Sequence, residues 1–163
     1  MRNILNRLPE ALRIKLLFHV GLLQIPMMRG IHPKLIEVSA VKVVVRVTLS
    51  RRTKNMYNSM YLGALDIGAD CVAGFFPAKF MLETGHRVPP IIKSASVEYH
   101  KRVNTYADFT CLQGVELMQL CQKAVSSGER HETTVVVVVT APKEFGQEPV
   151  AKFTYVISLK KLA

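Results

Sequence analysis

Two aspartates in an otherwise apolar stretch are the residues of this chain best placed to do chemistry. Asp66 and Asp70 interrupt residues 60–76, where nearly every other position is apolar or small. Their spacing of four puts both carboxylates on one face of a helix, a like-charge pairing that is mildly destabilising. Charged side chains are rarely buried without partners, so the pair calls for an explanation. Burial raises a carboxyl's pKa, and raised pKa values cluster at functional sites where a general base or nucleophile is needed. For Asp70 the other reading is a carboxylate satisfied by backbone N–H groups or a basic neighbour. Asp66 reads as a helix-capping or subunit-contact residue that could stand in for Asp70.

Other chemistries find less support in the residue pattern. Cys71, Cys111 and Cys121 are an odd set without paired metal-ligand spacing, so neither a disulfide framework nor a zinc site is suggested and a reducing, cytoplasmic setting is expected. His19, His32, His86 and His131 form no metal spacing with another histidine, and His100 falls on the polar face of a strand among Glu98, Lys101 and Arg102. Ser59 lacks the Gly-x-Ser-x-Gly elbow of the α/β-hydrolases. No metal or cofactor is expected.

The helix carrying the aspartates is expected from about Met60 and, being apolar nearly all round, must be buried. Gly63, Ala64, Gly68, Ala69, Ala73 and Gly74 make it rich in small residues, at a cost of up to about 1 kcal/mol for each glycine relative to alanine. Close approach of other backbone or of a ligand would account for them. Ahead of it, Ile4, Leu5, Leu8, Leu12, Leu16 and Val20 recur at helical spacing over residues 3–24, with the regular helix beginning near Pro9. This basic helix suits either a membrane-surface or targeting segment or packing on its own domain. Residues 30–33 then break the chain.

Alternation with a period of two marks strands at residues 41–49, 91–103, 105–112 and 151–160, with Val44 the exception in the first. The turn at residues 103–105 is short enough for a hairpin. Leu117, Leu120, Cys121 and Ala124 show helical spacing, closed by Gly128. Residues 133–140 are a β-branched run without alternation, which predicts a strand buried on both faces and an outer surface covered by a helix or another subunit. One helix after the first strand and a run of mostly antiparallel strands predict an α+β fold.

With 163 residues, 49% of them hydrophobic, the chain suits one domain. Its net charge of +10 favours a polyanionic partner. No nucleic-acid motif accompanies the charge, so nucleic acid is the weaker candidate and none is expected as a partner. No apolar run reaches the roughly 18 residues of a membrane span, and no cleavage pattern follows the basic N-terminus, so neither stable membrane insertion nor a signal peptide is expected.

The element order together with residues 55–70 resembles the hotdog fold and, within it, the phenylacetate-pathway (PaaI-like) type of acyl-CoA thioesterase, closer still an uncharacterised bacterial branch. That family's pattern is Asn, two residues, Gly, Thr, one residue, His-Gly-Gly-Ala, then an acidic residue. Here Asn55, Gly63, Ala64 and Asp70 match it, while Asn58, Tyr61 and Leu62 depart from it. The resemblance covers about residues 31–160. It implies an antiparallel sheet of about five to six strands wrapped around one long helix, with residues 3–24 as an extra N-terminal helix.

It further implies hydrolysis of an acyl thioester, of acyl-CoA or an acyl-carrier protein, at the interface of a homodimer, with the valine run favouring a homotetramer. Asp70 would be the base or nucleophile, reached from the opposite subunit; the Gly63 N–H would hold the oxyanion and Asn55 would position the carbonyl or the water. The alternative readings are helix packing alone for Gly63 and a turn alone for Asn55. Ser59, Tyr61, Leu62, Ala64 and Asp66 complete the implied substrate-binding set. If Tyr61 and Leu62 close the oxyanion site, the alternative is a non-catalytic acyl-thioester or lipid-binding protein. Arg51, Arg52, Lys54, Arg87, Lys93, Lys101 and Arg102 would suit coenzyme A phosphates or an acidic carrier protein, or are simply solvated.

Overall fold

The computed structural model describes residues 9–162. The chain opens with α1 (Glu10–Gln24) and α2 (Pro26–Gly30), followed by β1 (Lys34–Val38) and β2 (Val43–Thr48). Then come α3 (Leu62–Ala73), α4 (Phe75–Thr84), β3 (Pro90–Tyr99), β4 (Tyr106–Cys111), α5 (Gly114–Ser127), β5 (His131–Thr140), α6 (Pro142–Phe145) and β6 (Pro149–Leu159). All six strands join one antiparallel sheet in the order β1-β2-β4-β5-β6-β3. α3 lies across β2, β4 and β5. This is the expected α+β hotdog fold: a curved sheet about a central helix, with an added helix in front.

Alternation along the strands builds the core. Val43, Val45 and Val47 of β2, Phe109 of β4, Val135, Val137 and Val139 of β5, and Ile157 and Leu159 of β6 are all fully buried. Each such side chain contributes roughly 1.5–3 kcal/mol, which outweighs the helix propensity lost at Gly63 and Gly68. Gly68 is the contact glycine: a Cβ there would lie 2.5 Å from Cζ and 2.7 Å from Cε2 of the Phe109 ring. The end of α5 agrees with the expected signal. Gly128 closes α5 with φ 72°, and Gly85 closes α4 with φ 78°.

On the outer face Arg46 grips Asp108 directly opposite it, Nε to Oδ1 at 2.6 Å and Nη2 to Oδ2 at 2.7 Å, with the guanidinium 3.9 Å from the Tyr106 ring centroid. The hydrogen bonds to Asp108 hold the guanidinium above its ordinary pKa. Asp108 is buried, so Arg46→Ala strands a carboxylate and is expected to cost about 2 kcal/mol in urea denaturation. Adding Asp108→Ala should recover most of that loss; equal costs for the single and double variants would refute the coupling.

Several expectations need correction. Residues 103–105 do not close a hairpin: β3 pairs with β6 at the sheet edge, and β4 lies between β2 and β5. A short connection permits a hairpin but does not dictate it. The strand β1, from the segment following the break at residues 30–33, is too short and half-polar to announce itself by alternation. The central helix is interrupted at Gly74, which separates α3 from α4. Within this single chain the valine run has one fully buried face, with Val136 and Val138 on the outer side, where a second subunit was expected as one possible cover, half-buried.

α1 begins directly after Pro9, as expected, but its buried stripe is Ile14, Phe18 and Leu22, whereas Leu12 and Leu16 are exposed. Ile4, Leu5 and Leu8 of the expected stripe lie outside the described residues. Both stripes are apolar at helical spacing, so periodicity alone could not choose between them.

Candidate active site

The site grows from the loop that feeds α3. Asn55 folds this loop on itself: its Oδ1 accepts the N–H groups of Tyr57 at 2.9 Å and Ser59 at 3.2 Å, and its Nδ2 donates to Ser59 Oγ at 3.0 Å. Asn58 takes a left-handed conformation, φ 62°, which asparagine tolerates. Backbone bonds from Met60 N–H to the Val103 carbonyl and from Tyr61 N–H to the Thr53 carbonyl then fix where the helix starts. The Asn55 amide is therefore engaged with Ser59 in shaping the loop.

Tyr61 is the N-cap residue of α3 and offers no side-chain cap. Its carbonyl accepts from the N–H groups of Ala64 at 2.9 Å and Leu65 at 3.3 Å, while those of Leu62 and Gly63 have no acceptor among the described residues. Tyr61 and Leu62 are about half exposed, so these donors and the positive end of the helix dipole sit at the surface. The Tyr61 ring lies against Gly63, where a Cβ would come within 2.8 Å of its Cε1. Ala64, by contrast, is buried in the core.

Farther along the same helix, Asp66 accepts the Tyr99 phenol at 2.5 Å. Burial, then that hydrogen bond and the Asp66 charge, push the Tyr99 phenol well above its ordinary pKa. Asp70, one turn on, has no hydrogen bond or ion pair to its side chain among the described residues, and burial alone raises its carboxyl above the usual carboxylate range. The buried Tyr155 phenol is raised by burial and then by the charges of Asp70 and Asp66. Tyr99 and Tyr155 thus join the two aspartates, a role not read from the sequence. The available signal was two phenols on the apolar, inward faces of strands, where a hydroxyl wants a partner.

Asp70 also lines a cavity of about 400 Å³ between α1, α2 and α4. Ile14, Phe18, Leu22, Phe75 and Met81 form much of its wall, and Asp70 is the one carboxylate in it. Lys79, the one cation there, is held by Glu83 at 2.9 Å.

One chain does not bring all the expected site residues together. Gly63 and Asp70 are seven residues apart, which places them on one face but about 10 Å apart along the helix. A single carbonyl group cannot touch both. Asn55 and Ser59 meet each other in the loop.

Comparison with known proteins agrees with the fold. A family model described as a domain of unknown function, DUF4442, matches residues 15–158. A Pseudomonas aeruginosa protein of unknown function, described as a probable thioesterase, superposes with a TM-score of 0.74 at 17% identity, over 95% of this chain and 97% of that one. A protein of unknown function from Chlorobaculum tepidum gives a TM-score of 0.77 at 12% identity, over 91% and 94%. A thioesterase family protein from Silicibacter pomeroyi gives 0.66 at 11% identity, over 90% and 97%. No curated protein matches the chain in sequence.

Proposed function

Because this chain belongs to the DUF4442 family, whose name assigns no activity, we propose its function from the site: hydrolysis of acyl thioesters, acyl-CoA foremost, by a homodimer. The carrying observation is a carboxylate, Asp70, that lines an apolar cavity, has no hydrogen bond or ion pair among the described residues and is held above its usual pKa range by burial. The thioesterase names of the structural neighbours point the same way.

In this reading Asp70 takes a proton from water as the water oxygen attacks the thioester carbonyl carbon. Electrons shift onto the carbonyl oxygen, which the Leu62 and Gly63 N–H groups of the second copy receive. Collapse of the adduct expels the thiolate, which the proton on Asp70 neutralises, leaving a carboxylic acid and a free thiol. Arg51, Arg52 and Lys54, exposed on the loop before this helix, suit the phosphates of coenzyme A.

Two features support a second copy. The oxyanion donors and the base are too far apart within one helix. β3 is a sheet-edge strand of ten residues, with Ile91, Ile92, Val97 and Tyr99 exposed, and long apolar edges recruit partners. The half-buried Val136 and Val138 suit a further back-to-back contact in a tetramer.

A panel of acyl-CoA esters assayed for free thiol, together with sedimentation of the native protein, tests the reading. Thiol release by a dimer or tetramer is expected. A monomer, or saturable binding without turnover, favours the second reading: a non-catalytic acyl-thioester binder, for which the Tyr61 ring lying on Gly63 speaks.

A further inference from the structure

We infer that the cavity beneath α1 is the seat of an acyl chain of about ten carbons or more, whose carboxyl-derived end lies at Asp70. Its wall is built from aliphatic, thioether and phenyl groups, including Ile14, Phe18, Leu22, Met28, Phe75 and Met81. Its polar side chains are few. Lys79 is engaged by Glu83, which leaves Gln24 and Asp70. Such a lining solvates a hydrocarbon and discriminates against a charged or hydroxylated body, whose polar groups would go unpaired.

Size narrows the class further. A methylene takes up about 30 Å³, as a water does in the liquid, so a cavity of about 400 Å³ has room for at least on the order of ten chain carbons. A butyryl group would leave much of the wall unfilled. The identity of the head group as a thioester rests on the hydrolase reading above; the preference for a chain rests on the cavity alone.

Gly21 supplies the test. It lines the cavity from α1, on the helix face that also carries Ile14, Phe18 and Leu22, and a Cβ built there meets nothing within 4 Å. Gly21→Phe therefore fills the chamber while improving helix propensity. Ala78→Phe narrows it from the opposite wall, should the first variant fail to fold. Gly30→Ala is the control, since Gly30 is absent from the lining and its Cβ also meets nothing within 4 Å.

Calorimetric titration with 1-decanol and with the non-hydrolysable decyl thioether of coenzyme A is expected to show saturable binding to the native protein and to Gly30→Ala. Gly21→Phe or Ala78→Phe should weaken it by about tenfold or more, while 1-butanol is little affected. Absence of saturable 1-decanol binding to the native protein overturns the inference, as does unchanged affinity in whichever filled variants fold. If the native protein binds the thioether but releases no thiol from decanoyl-CoA, the hydrolase reading fails and the chain site stands. If it turns over acyl-CoA with the same chain-length preference in the filled variants, the chain site fails and the hydrolase reading stands.

Discussion

Asp70→Asn is expected to lower kcat for acyl-thioester hydrolysis by about 10³-fold, within the 10²–10⁴ range that a general base contributes, and to leave the fold intact. The amide fits the same space but cannot accept a proton. Removal of the carboxylate breaks no hydrogen bond or ion pair among the described residues, because none is made to it. Loss of turnover with an unchanged circular dichroism spectrum would bear this out. Turnover within a few-fold of native would move the base elsewhere, with Asp66 next in line.

The same substitution carries a pH signature of definite sign. Burial raises the Asp70 carboxyl above its ordinary pKa, so between the unfolded and folded values the folded protein binds more protons than the unfolded chain. Stability therefore falls as pH climbs from the unfolded value through the folded one, and it stays lower above both. Asp70→Asn has no such charge to bury. Its Tm should exceed that of the native protein at neutral pH, and the difference should shrink to nothing below the ordinary aspartate range. The acid limb of kcat/KM for the native enzyme should likewise lie above that range. A native protein that instead loses stability on acidification through this window, relative to Asp70→Asn, would show that a favourable partner holds Asp70.

Phe109→Ala is expected to cost about 3–5 kcal/mol in urea denaturation, since the ring is fully buried beneath α3 and its removal leaves a cavity. Against typical total stabilities of about 5–15 kcal/mol, that is a large loss. The informative variant is Gly68→Ala. In the native background its methyl group meets the Phe109 ring at 2.5 Å, an overpacking worth about 1–3 kcal/mol, offset by up to about 1 kcal/mol of helix propensity. In the Phe109→Ala background the same methyl group enters empty space, and Gly68→Ala should stabilise. A reversal of sign between backgrounds is the expected result. The same cost in both would mean that something other than the ring excludes a side chain at position 68.

Gly68 also shows how far residue pattern reaches. The small residues of the central helix announced close approach, yet they did not reveal which of them met a neighbour or what it met. Gly63, expected at an oxyanion site, lies against the Tyr61 ring of its own helix turn. Gly68, with no chemical role assigned, carries the helix–sheet contact. Asn55 was legible both as a turn residue and as a substrate ligand, and its bonds to Tyr57 and Ser59 lie within the loop.

By itself the sequence determined the properties that repeat locally along the chain. Alternation of apolar and polar residues set which face of β2, β4 and β6 meets the core; spacing of four put Asp66 and Asp70 on one side of α3; Gly128 ended α5. These follow from backbone geometry, which acts over a few residues. Only the tertiary structure decided that β3 crosses to the far edge beside β6 and that α1 buries Ile14, Phe18 and Leu22. It also decided that Tyr99 and Tyr155 reach the aspartates and that a chamber opens beside Asp70. Those outcomes depend on which apolar surfaces, far apart in the chain, fit one another best, and a local period carries no record of that competition.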